Sequence, residues 1–321
     1  MRENTFKASI IVLTYQNFDN LRNNIESILK QTYSNYEVII SDDGSQSFDR
    51  DYIESLYKEN DYRDKFSIIT REHNVGTVRN FNAAVKASAG DIIIPLSQDD
   101  RFYNENVLSD IIDAFSSPAV NICLGLRVIE GTDHILPNRT QIKIMQGASQ
   151  KKLWFRNACN NLYYGSALYY RKDYLQNAGL FDESYRLLED YPFVMNCIER
   201  EEKIHIINAP TIFYSANGVS SGKKKTKISQ IMNNDFFQMY ERNYLHSIER
   251  INSSVCRKYL LNRMRSKDEH SSRLSRYSNI ILDAILVLTK IEAAHTKEQI
   301  SDCRFSMLWK LEKLVTKIKG N

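Results

Sequence analysis

Several features that would place a chain in a well-marked class are scarce in this sequence of 321 residues. No uncharged apolar run approaches the roughly 18 residues that a membrane-spanning helix needs. Residues 1–8 carry charges where a secretion signal would be apolar. The five cysteines form no CxxC pair and are odd in number, which argues against a disulfide framework or a zinc site. We therefore expect a cytoplasmic protein.

Charge bias and the common catalytic signatures are also missing. The formal net charge of +4 is mild, so no nucleic-acid partner is expected. No HExxH, GxSxG or GxxxxGK motif occurs, which leaves no signature of a zinc protease, a serine hydrolase or a P-loop enzyme. Hydrophobic residues nevertheless make up 42% of the chain, which is enough to form a packed core.

Short apolar runs alternate with amphipathic segments through the first hundred residues. The predicted strands are residues 9–13, 36–41, 66–70 and 91–96, and the predicted helices are 21–31, 48–62 and 78–87. This alternation predicts an α/β fold with a mostly parallel central sheet and flanking helices. Further along, we predict strands at 121–128 and 166–170 and helices at 107–115, 152–158, 171–178 and 187–200.

The composition changes after residue 222, where glycine and proline disappear until Gly320. Four helices are predicted, at 227–242, 244–264, 274–294 and 298–319. We therefore expect two domains, an α/β domain over 1–221 and an all-α extension over 222–321. The last helix has an apolar face beside several lysines, which is compatible with an anionic membrane surface. Packing on the other domain or on a second subunit is the favoured alternative.

Two acidic pairs follow predicted strands, Asp42-Asp43 and Asp99-Asp100. Ligands of such sheets gather at the carboxyl ends of the strands. Adjacent carboxylates repel each other unless a cation or donors offset them, and hard oxygen ligands favour Mg²⁺ or Mn²⁺. An ordinary turn is the alternative, and Gly44-Ser45 makes it more plausible for the first pair.

A third acidic pair, Glu189-Asp190, lies at the start of a predicted helix. Acidic residues are common there because they interact favourably with the helix dipole. The alternative is a general base that removes the proton from an attacking hydroxyl, which is a weak nucleophile without such help.

Several motifs, in the right order, carry a resemblance to a known family. Residues 9–16 (SIIVLTYQ), 36–45 (YEVIISDDGS), 97–100 (SQDD), 179–183 (GLFDE) and 188–191 (LEDY) resemble the family 2 glycosyltransferases with the GT-A fold. The resemblance covers about residues 8–221, and the stretch 80–82 (NFN) is similar to members that build bacterial surface polysaccharides.

The resemblance implies a role for each matched residue. Thr14 and Tyr15 would line the nucleotide pocket, and Asp43, with Asp42 beside it, would bind the base. Asp99 would contact the ribose or donor sugar. Arg79 would reach the donor, although a solvated helix charge is an equal alternative.

For the metal and the chemistry, the resemblance implies that Asp100 holds Mn²⁺ or Mg²⁺ with the help of Asp99. Asp190 would be the catalytic base, oriented by Glu189. Two departures weaken the metal site: Ser97 stands where many relatives have aspartate, and Asn217 stands where many have histidine. Asn217 could still offer an amide oxygen as a third ligand, and the alternative is that it only binds a phosphate.

The resemblance as a whole implies an inverting, metal-dependent transfer of a sugar, most simply from a UDP-hexose. The donor half would span about 1–101 and the acceptor half about 102–221. The acceptor would be a glycan or a lipid-linked saccharide, reached in the cytoplasm or at the inner face of the membrane. Two alternatives remain: a nucleotide-sugar-binding scaffold without turnover, and a nucleotidyltransferase, which lacks its expected glycine-rich loop here.

Overall fold

The structure is a computed structural model that describes residues 6–58, 63–215, 227–265 and 297–319. Its contacts divide the chain into two compact units. The first contains residues 1–138, 163–197 and 202–223, and the second contains 139–162, 198–201 and 224–321. The second unit thus includes two short stretches from before residue 221, and the domain boundary near 221 stays a prediction.

The first unit opens with four parallel strands and the helices that connect them. In chain order these are β1 (Ala8–Thr14), α1 (Leu21–Leu29), β2 (Tyr36–Asp42), α2 (Arg50–Lys58), β3 (Phe66–Thr70), α3 (Thr77–Ala87) and β4 (Ile92–Ser97). The strands lie in the order β3-β2-β1-β4, and every neighbouring pair is parallel. β1, β2 and β4 are almost wholly buried, as expected of parallel strands that are covered on both faces. The predicted α/β fold class is confirmed.

Later elements extend the same sheet. They are β5 (Arg101–Phe102), α4 (Val107–Ala114), β6 (Ile122–Ile129), β7 (Ile135–Leu136), α5 (Arg139–Gly147), α6 (Gln150–Cys159), β8 (Leu168–Arg171), α7 (Lys172–Asn177), α8 (Asp190–Glu199) and β9 (His205–Tyr214). β8 pairs antiparallel with β4 and β6, and β9 pairs parallel with β6. β8 therefore joins the pair β6–β9 to the four parallel strands. Neither β9 nor α5 is predicted from the sequence.

The second unit is helical in its described part. After α5 and α6 it contains α9 (Lys227–Met239), a π-helical turn (Tyr240–Tyr244), α10 (Leu245–Ile248), α11 (Ser254–Arg265) and α12 (Lys297–Lys319). Phe155 of α6 packs against Phe305 and Trp309 of α12. The predicted helix 274–294 lies outside the described residues. Within them, no helix combines the length and the apolar character needed to cross a bilayer.

The predicted continuous helix over 244–264 is wrong, because the chain leaves the helix between α10 and α11. The carboxylate of Glu312 accepts the backbone N–H groups of Asn252 at 2.8 Å and Ser253 at 2.7 Å. The Ser253 hydroxyl then accepts the backbone N–H of Cys256 at 3.2 Å, which caps the start of α11. A carboxylate from a distant helix therefore sets this break.

Candidate active site

The carboxyl ends of β1, β2 and β4 lie side by side. Thr14 is opposite Asp42 across the β1–β2 pair, and Leu13 is opposite Ser97 across the β1–β4 pair. Neighbouring strands are about 4.8 Å apart, so the turns that follow β2 and β4 flank the end of β1. The structure therefore brings the predicted nucleotide residues of three strands to one edge of the sheet.

Gln98 connects the end of β1 to the turn after β4. Its Oε1 accepts the backbone N–H of Tyr15 at 3.2 Å, and its Nε2 donates to the Tyr15 carbonyl at 3.3 Å. Its own backbone N–H donates to the Leu13 carbonyl. Tyr15 is thus held beside the turn that carries the acidic pair. Gln98 was not predicted as a site residue, because a polar residue in a turn carries no signal by itself.

Asp42 is buried and holds the turn that follows β2. Its Oδ1 accepts the hydroxyls of Thr14 at 3.0 Å and Ser45 at 2.6 Å, and its Oδ2 accepts the Ser45 backbone N–H at 2.8 Å. Gly44 has φ +75°, the left-handed conformation that favours glycine. The turn alternative therefore fits Asp42, and a nucleotide contact by Thr14 or Asp42 stays a prediction.

Asp43 holds a different loop. Its carboxylate accepts the side-chain amide of Asn74 at 2.8 Å and the backbone N–H groups of Val75 at 2.8 Å and Gly76 at 2.9 Å. The Arg186 guanidinium donates to the Asn74 carbonyl at 2.8 Å. Burial raises the pKa of Asp43 against these stabilising contacts. Asp43 therefore joins the end of β2 to the loop before α3.

The pair Asp99-Asp100 contains buried oxygens that lack donors. Asp100 is 2% exposed, and its Oδ1 accepts the backbone N–H of Ser215 at 2.9 Å. Among the described residues, Oδ2 of Asp100 and Oδ1 of Asp99 have no hydrogen-bond partner. Burial raises the pKa of Asp100 to about 7 and also raises the pKa of Asp99. Asn24 secures the turn by donating to the Ser97 and Asp100 carbonyls.

These orphaned oxygens fit a divalent cation, because hard oxygen ligands without protein donors are what Mg²⁺ and Mn²⁺ bind. The described part of the chain holds no cluster of three or more His, Cys, Asp or Glu side chains arranged around a metal position. The acidic pair would therefore supply part of a coordination shell that water or a ligand completes. Asn217, the third predicted ligand, lies outside the described residues.

Asp190 begins α8, as predicted, and its carboxylate is fixed by backbone donors. Oδ2 accepts the Gly165 N–H at 2.9 Å, and Oδ1 accepts the Tyr191 N–H at 2.7 Å. A Cβ atom at position 165 would lie 2.8 Å from Oδ2, so only glycine fits there. Burial raises the pKa of Asp190. Glu189 lies just before the helix, and both carboxylates add to the effect of burial in raising the pKa of Tyr170.

Arg127 links the two predicted centres electrostatically. Burial raises the pKa values of Asp100 and Asp190, and the positive charge of Arg127 lowers both of them in part. Arg127 is therefore a positive neighbour of both Asp100 and Asp190, which are 90 positions apart in the chain. Arg127 was not predicted from the sequence. Its only signal is a single charge in the otherwise apolar strand 122–129 (ICLGLRVI).

Arg79 lies on the exposed face of α3. Its Nε is 3.8 Å from the carboxylate of Glu183, and both side chains are largely solvated. Such a pair contributes little to stability. The alternative of a solvated helix charge fits this placement, and a donor contact by Arg79 stays a prediction.

Comparison with known proteins identifies the family. Residues 9–177 match the family model described as glycosyl transferase family 2. The chain belongs to this family. Relatives of this glycosyltransferase include an uncharacterized glycosyltransferase of Rickettsia typhi, 29% identical over 197 residues, which cover 60% of this chain and 59% of that protein. The minor teichoic acid biosynthesis protein GgaA of Bacillus subtilis is 26% identical over 245 residues, 74% of this chain and 51% of that protein.

Solved structures of glycosyltransferases share the GT-A fold with this family 2 member. Staphylococcus aureus TarS 1–349, crystallised with UDP-GlcNAc, has a TM-score of 0.52 at 15% identity and covers 95% of this chain and 92% of its own. The mannosyltransferase PcManGT of Pyrobaculum calidifontis, in complex with GDP-Man and Mn²⁺, has a TM-score of 0.57 at 14% identity. The match covers 95% of this chain and 87% of the PcManGT chain. At these identities the likeness shows the fold alone.

Proposed function

We propose that this family 2 glycosyltransferase moves one sugar from a nucleotide-diphosphate donor to an acceptor hydroxyl and inverts the anomeric centre. The observation that carries the proposal is the Asp190 carboxylate. It is fixed by the Gly165 N–H, its pKa is raised, and it shares the positive neighbour Arg127 with the buried carboxylate of Asp100.

Asp190 is the general base of the proposed reaction. It accepts the proton of the acceptor hydroxyl while the hydroxyl oxygen bonds to the anomeric carbon, and the bond from that carbon to the diphosphate oxygen breaks. The raised pKa suits this role, because a base is most effective when its pKa approaches the working pH. A single displacement of this kind inverts the configuration. Glu189, the residue before it, is the proposed orienting partner.

Asp100, together with Asp99, would hold the divalent cation, and the buried oxygens without donors support this assignment. When bound, Mn²⁺ or Mg²⁺ supplies positive charge that stabilises the departing diphosphate. The structure of PcManGT contains Mn²⁺, which supports a divalent cation here. Asn217 is retained as a proposed third ligand.

The proposed donor is a UDP-hexose, held by Thr14, Tyr15, Asp42, Asp43 and Arg79 at the carboxyl ends of β1 and β2 and beside α3. The UDP-GlcNAc complex of TarS supports a uridine nucleotide, whereas the GDP-Man complex of PcManGT makes guanosine the alternative. GgaA acts in minor teichoic acid biosynthesis, which supports a glycan or lipid-linked saccharide as acceptor. The proposed location is the cytoplasm, at the inner face of the membrane.

A catalytically inactive scaffold that binds nucleotide sugars is the second candidate. The observation in its favour is that the described residues supply only two adjacent carboxylates for a metal. A screen of nucleotide sugars, with and without Mn²⁺ or Mg²⁺, separates the two candidates. An enzyme releases the nucleoside diphosphate as donor is consumed, whereas a scaffold releases none with any donor.

Asp190→Asn tests the proposed base directly. The amide keeps the shape of the carboxylate but cannot accept the proton, so we expect the kcat of transfer to fall by about 10²–10⁴. Nucleotide affinity, measured by titration calorimetry, should stay unchanged. Asp182→Asn, an exposed carboxylate on the same segment, is the matched control. Full transfer by Asp190→Asn would show that another group is the base.

A further inference from the structure

We propose that Arg127, Tyr164 and Tyr214 form a stacked clamp that positions the two carboxylates on which the reaction depends. This inference rests on the proposed function, since it assigns a supporting role behind Asp100 and Asp190. Arg127 and Tyr164 are part of no motif that was singled out from the sequence, whereas Tyr214 opens the segment that ends in Asn217, the third predicted metal ligand. They act through neighbouring backbone groups and are positioning residues.

The stack itself is well defined. The guanidinium carbon of Arg127 lies 3.7 Å from the centre of the Tyr164 ring and 4.3 Å from the centre of the Tyr214 ring. Planar guanidinium groups stack favourably on aromatic faces. The backbone of Arg127 is held by strand pairing on both sides, because it lies in β6 opposite Leu136 of β7 and Ile212 of β9.

Each tyrosine directly precedes a residue whose backbone N–H holds one of the carboxylates. Tyr164 precedes Gly165, which donates to Asp190 at 2.9 Å. Tyr214 precedes Ser215, which donates to Asp100 at 2.9 Å. The guanidinium of Arg127 therefore lies between the two chain segments that carry these N–H donors.

The peptide groups that carry these donors are also held at their carbonyl ends. The Tyr164 carbonyl accepts the Ala167 N–H at 2.9 Å, and the Tyr214 carbonyl accepts the Glu130 N–H at 3.0 Å. Fixing both the ring and the carbonyl of a residue leaves the following N–H little freedom to turn. The clamp therefore sets the direction in which each carboxylate points.

Arg127 also contributes through its charge. It is a positive neighbour of both Asp100 and Asp190 and opposes the effect of burial on each. Its Nε is buried and has no hydrogen-bond partner among the described residues. Stacking on the two rings and the positive charge are the contacts through which Arg127 acts in this proposal.

Removing one ring at a time tests the clamp, because the two rings support different carboxylates. We expect Tyr164→Leu to lower kcat by about 10–100-fold while the affinity for Mn²⁺ stays unchanged. We expect Tyr214→Leu to weaken Mn²⁺ binding to the UDP-loaded protein by about 10–100-fold, measured by calorimetry without turnover. Tyr164→Phe and Tyr214→Phe keep the rings and are the matched controls, expected to behave like the wild type in both measurements.

Arg127→Lys and Arg127→Gln separate charge from stacking. Lysine keeps the positive charge but lacks the planar guanidinium that stacks on the rings, and we expect the lysine variant to retain part of both kcat and Mn²⁺ affinity. Glutamine removes the charge and replaces the guanidinium by a smaller neutral amide, and we expect both kcat and Mn²⁺ affinity to fall by about 100-fold. UDP affinity without metal and the thermal unfolding midpoint report on any general structural damage. Neither the UDP affinity nor the unfolding midpoint should change in the lysine variant.

Two results would overturn the clamp. The first is wild-type kcat and Mn²⁺ affinity in both leucine variants. The second, decisive even if the leucine variants fail to fold, is wild-type behaviour of Arg127→Gln in both measurements. The donor screen is run alongside: if the wild type releases nucleoside diphosphate while these variants behave like it, only the clamp has failed, whereas a wild type that releases none with any donor means that the proposed function has failed.

Discussion

The buried carboxylate of Asp100 has a free-energy cost that the metal-binding role proposed for it would offset. Its side chain is 2% exposed and has one backbone donor, from Ser215, and burial raises its pKa to about 7. A carboxylate in such surroundings is ionised at neutral pH only at a free-energy cost to the folded state. The cost is compensated when a cation binds, which is the state that the proposed reaction uses.

Asp100→Asn should therefore stabilise the metal-free protein at high pH. Because the folded-state pKa is raised, the folded protein binds more protons than the unfolded chain between about pH 4 and pH 7. Stability then falls as pH rises through that window, by up to about 4 kcal/mol for a shift of roughly three units. Urea unfolding in EDTA should show a gain of about 1–4 kcal/mol at pH 8 and little gain at pH 5.

Asp113→Asn, on the exposed side of α4, is the control for that measurement and should leave stability unchanged at both pH values. A destabilised Asp100→Asn at pH 8 would contradict the account. It would mean that the Ser215 N–H and the charge of Arg127 more than compensate for the burial of the carboxylate.

At the level of elements, local pattern predicted the first half of the fold closely. β1, β2, β3 and β4 lie within one or two residues of the predicted strands, because each is a continuous apolar run bounded by turn residues. β9 was missed since Asn208 and Pro210 interrupt its apolar residues, and its pairing with β6 contains register shifts. Such a strand is defined by its neighbour in the sheet and not by its own sequence.

The candidate site likewise contains residues that a local sequence pattern places and residues that only the tertiary fold places. The positions of Asp42, Asp43, Asp99 and Asp100 after strands could be predicted because those strands are recognisable in the sequence, and the position of Asp190 because it starts a helix. Their neighbours could not be predicted, since the contact of Gly165 with Asp190 joins residues 25 positions apart and that of Ser215 with Asp100 joins residues 115 apart. Contacts of this kind depend on the tertiary fold and leave no local pattern.

Glu312 illustrates a tertiary contact that defines element boundaries. It is 1% exposed and accepts the N–H groups of Asn252 and Ser253 and the Lys151 ammonium group at 2.8 Å. Burial opposes ionisation of Glu312, but these donors prevail and lower its pKa. The start of α11 therefore depends on a side chain of α12.

Glu312→Ala should loosen this junction. It leaves two backbone N–H groups and a lysine without their acceptor, which costs about 2–4 kcal/mol. Urea unfolding would measure the loss, and faster amide exchange should be concentrated at residues 252–256. Glu249→Ala, an exposed glutamate of the same unit, is the control. Unchanged exchange at residues 252–256 in Glu312→Ala would show that α11 begins independently of α12.

At the level of the whole molecule, the last helix bears on two alternatives that the sequence left open, packing on protein and contact with an anionic membrane. The first part of α12 packs within its own unit, where Phe305 and Leu308 are buried against the other helices. In its last two turns, Leu314 is 56% exposed and Ile318 is 65% exposed. The packing alternative thus accounts for only one half of the helix.

The exposed half is the part that we propose touches a membrane. Leu314 and Ile318 are flanked by the exposed lysines Lys310, Lys313, Lys317 and Lys319, the combination that binds anionic lipid surfaces. At about 1 kcal/mol per lysine, we expect the whole protein to sediment with vesicles of anionic lipid and to be released by salt.

Leu314→Gln combined with Ile318→Gln should abolish sedimentation with these vesicles. Leu245→Gln combined with Val255→Gln, which changes other exposed apolar residues of the same unit, should not. A dimer that the first double variant dissociates, together with no vesicle binding by the wild type, would assign this face to a second subunit instead.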